Sequence, residues 1–246
     1  MEKTVGPLLA AGNVAEVFEW GSRVVKLYRS AAAKPVVFRE AAIHAVVEAM
    51  GLPVPAVWSV QQIGDRWGIV FDRVGGVSFA SRMRDDPGAI PQYLEIMARL
   101  HAQIHSHPVY QLASLKVRLA TNIARAKLID EPRKYQLLRH LAEMPEGDRL
   151  CHGDFHPWNV LGQASQPIVI DWPDACRGDP AADACRSYLL LKLNAEEIAE
   201  PYLDAWCRVT DVVRGKVTDW LPYIAAARLA ENVPGEFDRL LEIAQS

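Results

Sequence analysis

Hydrophobic and polar residues alternate through the first third of the chain with the two-residue period of β-strands. This pattern predicts a β-hairpin at residues 8–28, with its turn at Gly21. Two further strands are predicted at residues 54–60 and 67–71, on either side of a short polar turn. The N-terminal part of the chain is therefore expected to be rich in β-structure.

One helix is predicted among these strands, at residues 36–50. Pro35 favours a helix start, because its fixed φ angle suits the first turn, and Gly51 favours a helix end. Apolar residues at helical spacing predict which face is buried. That predicted apolar stripe consists of Phe38, Ala42, Val46 and Met50, and it is widened by Ile43 and Val47.

Beyond about residue 90 the hydrophobic period changes to that of helices. The predicted helices cover residues 91–106, 116–142 (as one helix or a pair), 180–193, 201–213, 217–229 with a restart at Pro222, and 237–244. Asp179 is the expected N-cap of the helix that begins at Pro180. The fold class predicted from these periods is α+β, with a β-rich first part and a mainly helical second part.

A third pattern interrupts the helices at residues 151–171. It predicts a short strand, a polar turn, a second strand, and a third β-rich run that ends on a carboxylate. Asp154 lies in the turn, Asn159 follows five residues later, and Asp171 follows after twelve more. This is the spacing of a kinase catalytic loop, in which a carboxylate accepts a hydroxyl proton and oxygen ligands hold Mg²⁺. Asp154 is the predicted base, and Asn159 and Asp171 are the predicted Mg²⁺ ligands.

The residues around this trio resemble one family of enzymes. They are His152, Gly153, Asp154, His156, Pro157 and Asn159, then Ile170, Asp171 and Trp172, and finally Gly178, Asp179, Pro180 and Asp183. The run is similar to that of the aminoglycoside phosphotransferases and related small-molecule kinases such as choline kinase. The resemblance implies a bilobal protein-kinase-like fold, with a small β-rich N-lobe at residues 1–73 and a helical C-lobe at residues 74–246. It also implies a transferase that uses ATP and Mg²⁺ to phosphorylate a hydroxyl group of a small molecule.

The resemblance further implies a nucleotide site in the N-lobe. Lys26 would contact the ATP phosphates, and Glu40 on the following helix would hold the Lys26 ammonium group in place. Glu48 is a rival for that pairing on the same helix. Gly12 and Asn13 lie where a nucleotide-covering loop is expected, although one glycine replaces the usual two or three.

The identity of the acceptor is the property that the sequence determines least. A cationic acceptor, such as an amino sugar or an amino alcohol, is one interpretation, and the carboxylates expected to line its site are Asp174, Glu231, Glu236 and Asp238. Asp183 is expected to be structural and to accept hydrogen bonds from the backbone of the catalytic loop. His101 and His105 are one helical turn apart, but they lack the Glu and third ligand of a zinc protease and are expected to have a packing or surface role.

Composition narrows the alternatives. The chain has 246 residues, of which 50% are hydrophobic and 23% charged, and its net charge of −3 gives no reason to expect nucleic acid or an anionic membrane as a partner. The four cysteines form no C-x-x-C pair and the N-terminus has no signal-peptide pattern, so a cytoplasmic protein is expected. A binuclear metallophosphoesterase is the alternative enzyme class, but its chemistry would need further clusters of His and Asp residues elsewhere in the sequence. A pseudokinase that binds nucleotide without turnover is the non-enzyme alternative.

Overall fold

The computed structural model describes residues 5–29 and 34–245. Among these residues the chain forms two compact units. The first unit, called here the sheet unit, consists of the described residues up to Phe79 together with the segment Trp158–Pro173. The second, called the helical unit, consists of Ala80–Pro157 and the described residues from Asp174 onward. The functional lobe boundary at residues 73 and 74 stays a prediction.

Nine strands occur in the described part of the chain. They are β1 (Leu8–Ala11), β2 (Ala15–Trp20), β3 (Arg23–Tyr28), β4 (Val57–Ile63), β5 (Arg66–Asp72), β6 (Arg149–Cys151), β7 (Val160–Gln163), β8 (Gln166–Val169) and β9 (Cys176–Gly178).

Ten α-helices occur in the same residues. They are α1 (Lys34–Glu48), α2 (Phe79–Asp85), α3 (Ile90–His105), α4 (Leu115–Arg125), α5 (Glu131–Glu143), α6 (Pro180–Asn194), α7 (Glu196–Thr210), α8 (Arg214–Thr218), α9 (Leu221–Arg228) and α10 (Phe237–Gln245). Short 3₁₀ turns lie at Pro87–Ala89, Pro157–Asn159 and Leu229–Glu231. None of the helices in the described ranges is both long enough and apolar enough to cross a membrane.

The sheet unit is built on an antiparallel sheet in the order β1-β2-β3-β5-β4. The predicted hairpin is present as β2 and β3, whose register pairs Val17 with Lys26. Strand β1, at Leu8–Ala11, adds a third strand within the same 8–28 stretch. The β7–β8 hairpin belongs to the same unit and pairs Val160 with Val169. The first part of the chain is therefore β-rich, as predicted.

The buried face of α1 differs from the predicted apolar stripe. Its buried residues are Val37, Glu40, His44 and Val47, whereas Phe38 is 46% exposed. Val47, which was predicted to widen the stripe, is buried, but the main stripe is wrong because two of the four inward positions are polar. Each of these polar side chains has a partner, as a buried polar group requires: Glu40 bonds to Lys26, and His44 Nε2 lies 2.6 Å from the carbonyl oxygen of Pro55.

The helical unit confirms most of the predicted helices. The stretch at residues 116–142 is a pair, α4 and α5, and the restart near Pro222 separates α8 from α9. Asp179 caps α6 by accepting a hydrogen bond from the backbone N–H of Ala181. The predicted start of α7 at Pro201 is wrong, because the helix begins at Glu196 and tolerates a proline near its N-terminal end, where one backbone hydrogen bond is lost.

Candidate functional site

Lys26 lies between two carboxylates in the sheet unit. Its Nζ donates a hydrogen bond to Glu40 Oε1 at 2.8 Å and to Asp171 Oδ1 at 2.6 Å. The predicted pairing with Glu40 is therefore present, and the rival Glu48 instead accepts a hydrogen bond from the backbone N–H of Val57. The structure thus brings together three of the predicted site residues, from β3, α1 and the segment after β8.

The surroundings of Lys26 keep it charged. Burial lowers the pKa of its ammonium group, but the carboxylates of Asp171 and Glu40 outweigh this effect and raise the pKa above its ordinary value. Tyr28 adds a second donor to Glu40, since its hydroxyl donates a hydrogen bond to Glu40 Oε2. Glu40 therefore serves as a buried anchor that fixes the position of a fully charged Lys26.

A cavity of about 370 Å³ opens beside this ion pair within the sheet unit. Lys26, Glu40 and Asp171 line one part of it. Much of the rest is apolar, with Ala10, Val17, Val24, Leu161 and Ile170 among the lining residues. Asp72, the last residue of β5, and Arg73, Val74 and Gly76 beyond it also line the cavity. The cavity thus combines an apolar slot with a fixed positive charge.

Asn159 and Asp171 are placed near each other by the β7–β8 hairpin. Asn159 is buried, and its carbonyl oxygen accepts a hydrogen bond from the backbone N–H of Ile170 at 3.0 Å, one residue before Asp171. Asp171 has a φ of +64°, a left-handed conformation that Asp adopts more readily than most residues. The two predicted metal ligands therefore flank the same end of one hairpin.

Gly12 and Asn13 form the exposed turn between β1 and β2. Their carbonyl oxygens accept hydrogen bonds from Arg29, at 2.9 Å from Gly12 and 3.1 Å from Asn13. Neither residue is among the described residues that line the cavity, although Ala10, two residues earlier, is one of them. A role of this turn in covering a nucleotide stays a prediction.

The first part of the predicted catalytic loop, residues 152–157, lies in the helical unit, and Asp183 holds its backbone. The Asp183 carboxylate accepts hydrogen bonds from the backbone N–H groups of His152 and Gly153, at 2.7 and 2.8 Å. The structural role predicted for Asp183 is confirmed. Gly153 has a φ of +82°, and a Cβ atom there would lie 2.4 Å from the Asp174 carbonyl oxygen, so this position requires glycine.

His101 and His105 complete the support of Asp183. Their Nε2 atoms lie 2.9 and 3.1 Å from Asp183 Oδ2. Burial and the nearby His105 lower the pKa of His101 to about 3, so His101 is neutral and donates its Nε2 proton to an ionised Asp183. Its Nδ1 then accepts a hydrogen bond from the Tyr202 hydroxyl at 2.6 Å. The two histidines pack and hydrogen-bond, as predicted, and they do so directly beneath the loop.

His156 and Arg186 are neighbours of Asp154 in the helical unit. His156 Nε2 lies 3.3 Å from Asp154 Oδ2, and Arg186 Nη2 lies 3.9 Å from Asp154 Oδ1. Burial alone would raise the pKa of the Asp154 carboxyl, but the hydrogen bond from His156 and the charge of Arg186 hold it well below its ordinary value. Asp154 is therefore a carboxylate at neutral pH.

Arg186 was not predicted as a site residue. Its Nε donates to the carbonyl oxygen of Gly153 at 3.2 Å, and its Nη1 donates to Glu231 Oε1 at 2.7 Å. Arg186 lies three residues after Asp183 on α6, so both side chains are on one face of the helix. That spacing is the signal in the sequence that could have identified it.

Three of the four acidic residues expected to line a cationic acceptor site pair with arginines. Glu231 pairs with Arg186 and Arg228, and Glu236 accepts two hydrogen bonds from Arg228. Asp174 pairs with Arg118 at 3.4 Å. Asp238 is exposed on α10. Of these four residues, only Asp174 and Glu231 line the cavity of the helical unit.

Comparisons with known proteins agree with this fold. The model of the phosphotransferase enzyme family matches residues 13–216. A thermostable mutant of aminoglycoside phosphotransferase APH(4)-Ia is similar with a TM-score of 0.71 and 19% identity, over 98% of this chain and 92% of that one. An aminoglycoside-3'-phosphotransferase of type VIII is similar with a TM-score of 0.64 and 22% identity, over 94% and 92% of the two chains.

A choline/ethanolamine kinase family protein from Mesorhizobium loti is also similar, with a TM-score of 0.65 and 17% identity, over 98% of this chain and 89% of that one. No curated protein matches this sequence. At identities this low, the structural similarity establishes the fold alone. The family model covers most of the chain and establishes the family. The β-rich sheet unit and the helical unit are the two parts of an α+β kinase-like fold, and the chain belongs to the phosphotransferase enzyme family.

Proposed function

We propose that this chain is an ATP-dependent phosphotransferase that moves the γ-phosphoryl group of Mg·ATP to a hydroxyl group of a small molecule. The observation that carries the proposal is the position of Lys26 between Glu40 and Asp171 at the wall of a largely apolar cavity. A fixed ammonium group beside an apolar slot suits a nucleotide, which has a flat base and an anionic tail.

In this proposal the nucleotide occupies the cavity of the sheet unit. The base packs against apolar residues such as Val24 and Ile170, and Lys26 binds the phosphates while Glu40 keeps its ammonium group in place. APH(4)-Ia, which is similar in fold, is described in a ternary complex with ADP and hygromycin B. That complex supports nucleotide binding as a property of the shared fold.

Asp171 and Asn159 are the proposed ligands of Mg²⁺. A carboxylate and an amide oxygen at one end of a hairpin are the oxygen ligands that this ion prefers, so the residues present fit it. Bound Mg²⁺ would neutralise negative charge on the phosphates during transfer. The ion pair of Asp171 with Lys26 fixes the carboxylate's position on the cavity wall.

Asp154 is the proposed catalytic base. In the transfer step the acceptor hydroxyl oxygen forms a bond to the γ-phosphorus, and the bond from that phosphorus to the bridging oxygen breaks. ADP leaves with the electron pair, and the hydroxyl proton passes to the Asp154 carboxylate. Because the pKa of Asp154 is depressed, it is a weak base, and its main contribution is to orient the hydroxyl group until bond breaking has made the proton acidic.

The test is transfer of labelled γ-phosphate from Mg·ATP to a panel of amino sugars, amino alcohols, sugars and polyols, with Asp154→Ala beside the wild type. We expect transfer to at least one compound and a loss of about 100- to 10,000-fold in the variant, the usual contribution of a positioned base. Nucleotide-dependent thermal stabilisation without transfer to any compound would instead indicate a pseudokinase. Absence of both would contradict the proposal.

A further inference from the structure

The Glu40 carboxylate that holds Lys26 has a second partner on its other oxygen. Glu40 Oε1 accepts a hydrogen bond from Lys26 Nζ at 2.8 Å, and Glu40 Oε2 accepts one from the hydroxyl group of Tyr28. Among the residues that the structure describes, these two are the hydrogen-bond donors to this carboxylate. Glu40 is 5% exposed and Tyr28 is 1% exposed, so the contact between them is largely shielded from solvent.

Tyr28 is not itself part of the cavity wall in the sheet unit. Lys26, Glu40 and Asp171 are among the described residues that line this cavity, whereas Tyr28 is not. The Tyr28 ring belongs instead to a hydrophobic core cluster that includes Val37 of α1. Any effect of the Tyr28 hydroxyl on a molecule in the cavity must therefore pass through the residues that do line it.

The position of Tyr28 on β3 explains why it reaches Glu40. Lys26 and Tyr28 are two residues apart on one strand, and side chains at that spacing point to the same face of a sheet. Lys26 Nζ lies 5.6 Å from the centroid of the Tyr28 ring, within the range in which a cation is attracted to an aromatic face. A tyrosine side chain has few rotatable bonds, so packing of the ring in the core also fixes its hydroxyl group.

The Tyr28 hydroxyl stays protonated in this environment. Burial, and then the negative charge of Glu40, raise the pKa of Tyr28 above its ordinary value. The hydroxyl is therefore the donor in this contact, and Glu40 is the acceptor. A neutral donor satisfies Oε2 without adding a second positive charge beside Lys26.

Removing this hydroxyl would leave one oxygen of Glu40 without a donor. A buried carboxylate oxygen that lacks a partner is unfavourable, because it has lost water and gained no hydrogen bond in return. The remaining donor to Glu40 is the Lys26 ammonium group, so both carboxylate oxygens would attract it. An ammonium group held in this way is less available to an anionic group in the cavity.

We propose that Tyr28 is a positioning residue for Lys26. By donating to Glu40 Oε2, its hydroxyl keeps a single carboxylate oxygen directed at the ammonium group and so maintains the affinity for Mg·ATP. This inference rests on the proposed function, in which Lys26 binds the nucleotide phosphates, and it adds a residue that does not line the cavity. Tyr28 contributes to nucleotide binding and not to the chemical step.

Tyr28→Phe tests the proposal, because it removes the hydroxyl group and keeps the ring in the core. The Mg·ATP dissociation constant of the full chain is measured by calorimetry, which needs no acceptor. We expect it to rise about tenfold, the effect of one hydrogen bond to a charged group. In steady-state assays the KM for ATP should rise equally, while kcat stays within about threefold and the acceptor KM within about twofold of the wild-type values.

Tyr188→Phe is the matched control in the helical unit. The Tyr188 hydroxyl donates a hydrogen bond to Glu200, and Lys192 pairs with the same carboxylate at 3.7 Å, so the same three residue types meet there. Tyr188 and Glu200 are not among the described residues that line either cavity. This variant should leave the Mg·ATP dissociation constant within about twofold of that of the wild type, as expected for a distant site. Urea unfolding of both variants measures the stability that each one loses.

A double-mutant cycle tests whether Tyr28 acts through Glu40. In Glu40→Ala the hydroxyl has no carboxylate to hold, so adding Tyr28→Phe should change the Mg·ATP dissociation constant by less than about twofold. A tyrosine that supported the cavity only by packing would weaken binding in that background as much as in the wild type. Lys26→Met is a second background with the same expectation, and it replaces the first if Glu40→Ala does not fold.

The outcomes separate this inference from the proposed function. An unchanged Mg·ATP dissociation constant in Tyr28→Phe would overturn the inference and leave the phosphotransferase proposal standing. Equal losses of affinity in Tyr28→Phe and Tyr188→Phe, or a loss that persists in the Glu40→Ala or Lys26→Met background, would overturn it as well. A wild-type protein that neither binds Mg·ATP nor transfers phosphate would instead contradict the proposed function itself.

Discussion

The two units each place one largely buried cation between two carboxylates, but at different distances. In the sheet unit Lys26 lies 2.8 Å from Glu40 and 2.6 Å from Asp171. In the helical unit Arg186 binds Glu231 at 2.7 Å but lies 3.9 Å from Asp154. Lys26 is therefore held close to both of its carboxylates. Arg186 is bound to Glu231 and lies farther from Asp154.

This difference fits the different roles proposed for the two cations. Lys26 must stay fixed where phosphates bind, and two short ion pairs achieve this. Arg186, at 3.9 Å, acts on Asp154 through its charge and lowers the pKa of that carboxyl without a short hydrogen bond. Variants at the two cations should therefore fail in different ways.

Of the two cations, the one in the sheet unit is expected to give the larger effect when it is removed. Lys26→Met leaves Glu40 and Asp171 without their shared partner and removes the proposed phosphate contact. We expect phosphate transfer to fall by about 100- to 1,000-fold, the range seen when one preorganised donor is removed, and Mg·ATP binding to weaken. The measurements are transfer rate and the Mg·ATP dissociation constant.

Lys134→Met is the matched control for that variant, because Lys134 also pairs with a carboxylate, that of Glu131, outside either cavity. It should leave transfer and nucleotide binding within about twofold of the wild type, as expected of a salt bridge with an exposed partner. Equal losses in the two variants would contradict the special role of Lys26.

A smaller effect is expected at the cation of the helical unit. Arg186→Met removes a positive charge near Asp154, so the pKa of Asp154 should rise and the acidic limb of the pH–rate profile should move to higher pH. We expect kcat to fall by about 10- to 100-fold through misplacement of the catalytic loop, with Mg·ATP affinity little changed. Arg186→Lys should keep the acidic limb closer to that of the wild type.

Arg99→Met controls for loss of an arginine from this unit, since Arg99 is exposed and pairs with Glu95 one turn earlier on α3. Its pH–rate profile should coincide with that of the wild type. If the acidic limb of Arg186→Met also coincides with that of the wild type, Arg186 does not act on Asp154.

The smallest effect is expected at His101, which contacts Asp183 beneath the loop, and it concerns the free energy of unfolding. The pKa of His101 is about 3 in the folded protein, below its ordinary value of 6.5, because of burial and the neighbouring His105. Below pH 6.5 the unfolded chain binds a proton that the folded protein does not, so the free energy of unfolding falls as pH decreases toward 3. His101→Gln should reduce this slope by up to about 1.4 kcal/mol per pH unit, measured by urea unfolding between pH 4 and 7.

The parts predicted correctly from the sequence are those determined by local spacing. The loop that carries Asp154 and the hairpin that carries Asn159 and Asp171 are specified by residues close together in the sequence. The N-cap role of Asp179 is likewise set by its neighbours. The pairing of Lys26 with Glu40 was predictable because the resemblance to kinases implies that a lysine on this strand pairs with a glutamate on the next helix. Roles in catalysis stay predictions for all of these residues.

The parts that could not be predicted depend on contacts between distant residues. The buried face of α1 contains His44, which the apolar periodicity leaves outside the predicted stripe, because its partner, the Pro55 carbonyl oxygen, comes from outside the helix. Likewise Glu231 appears as a free acidic residue in the sequence, and only the fold brings Arg186 and Arg228 to it. These partners could not be read from the charge pattern of the sequence, and the class of acceptor stays a prediction.

The central claim is that the sheet unit binds the nucleotide while Asp154 of the helical unit acts in the chemical step. The most direct measurement is therefore the Mg·ATP dissociation constant and the phosphate transfer rate in the same preparation of Asp154→Ala. We predict a dissociation constant within about threefold of that of the wild type and a transfer rate lower by at least about 100-fold. Transfer within about tenfold of the wild-type rate would contradict the claim.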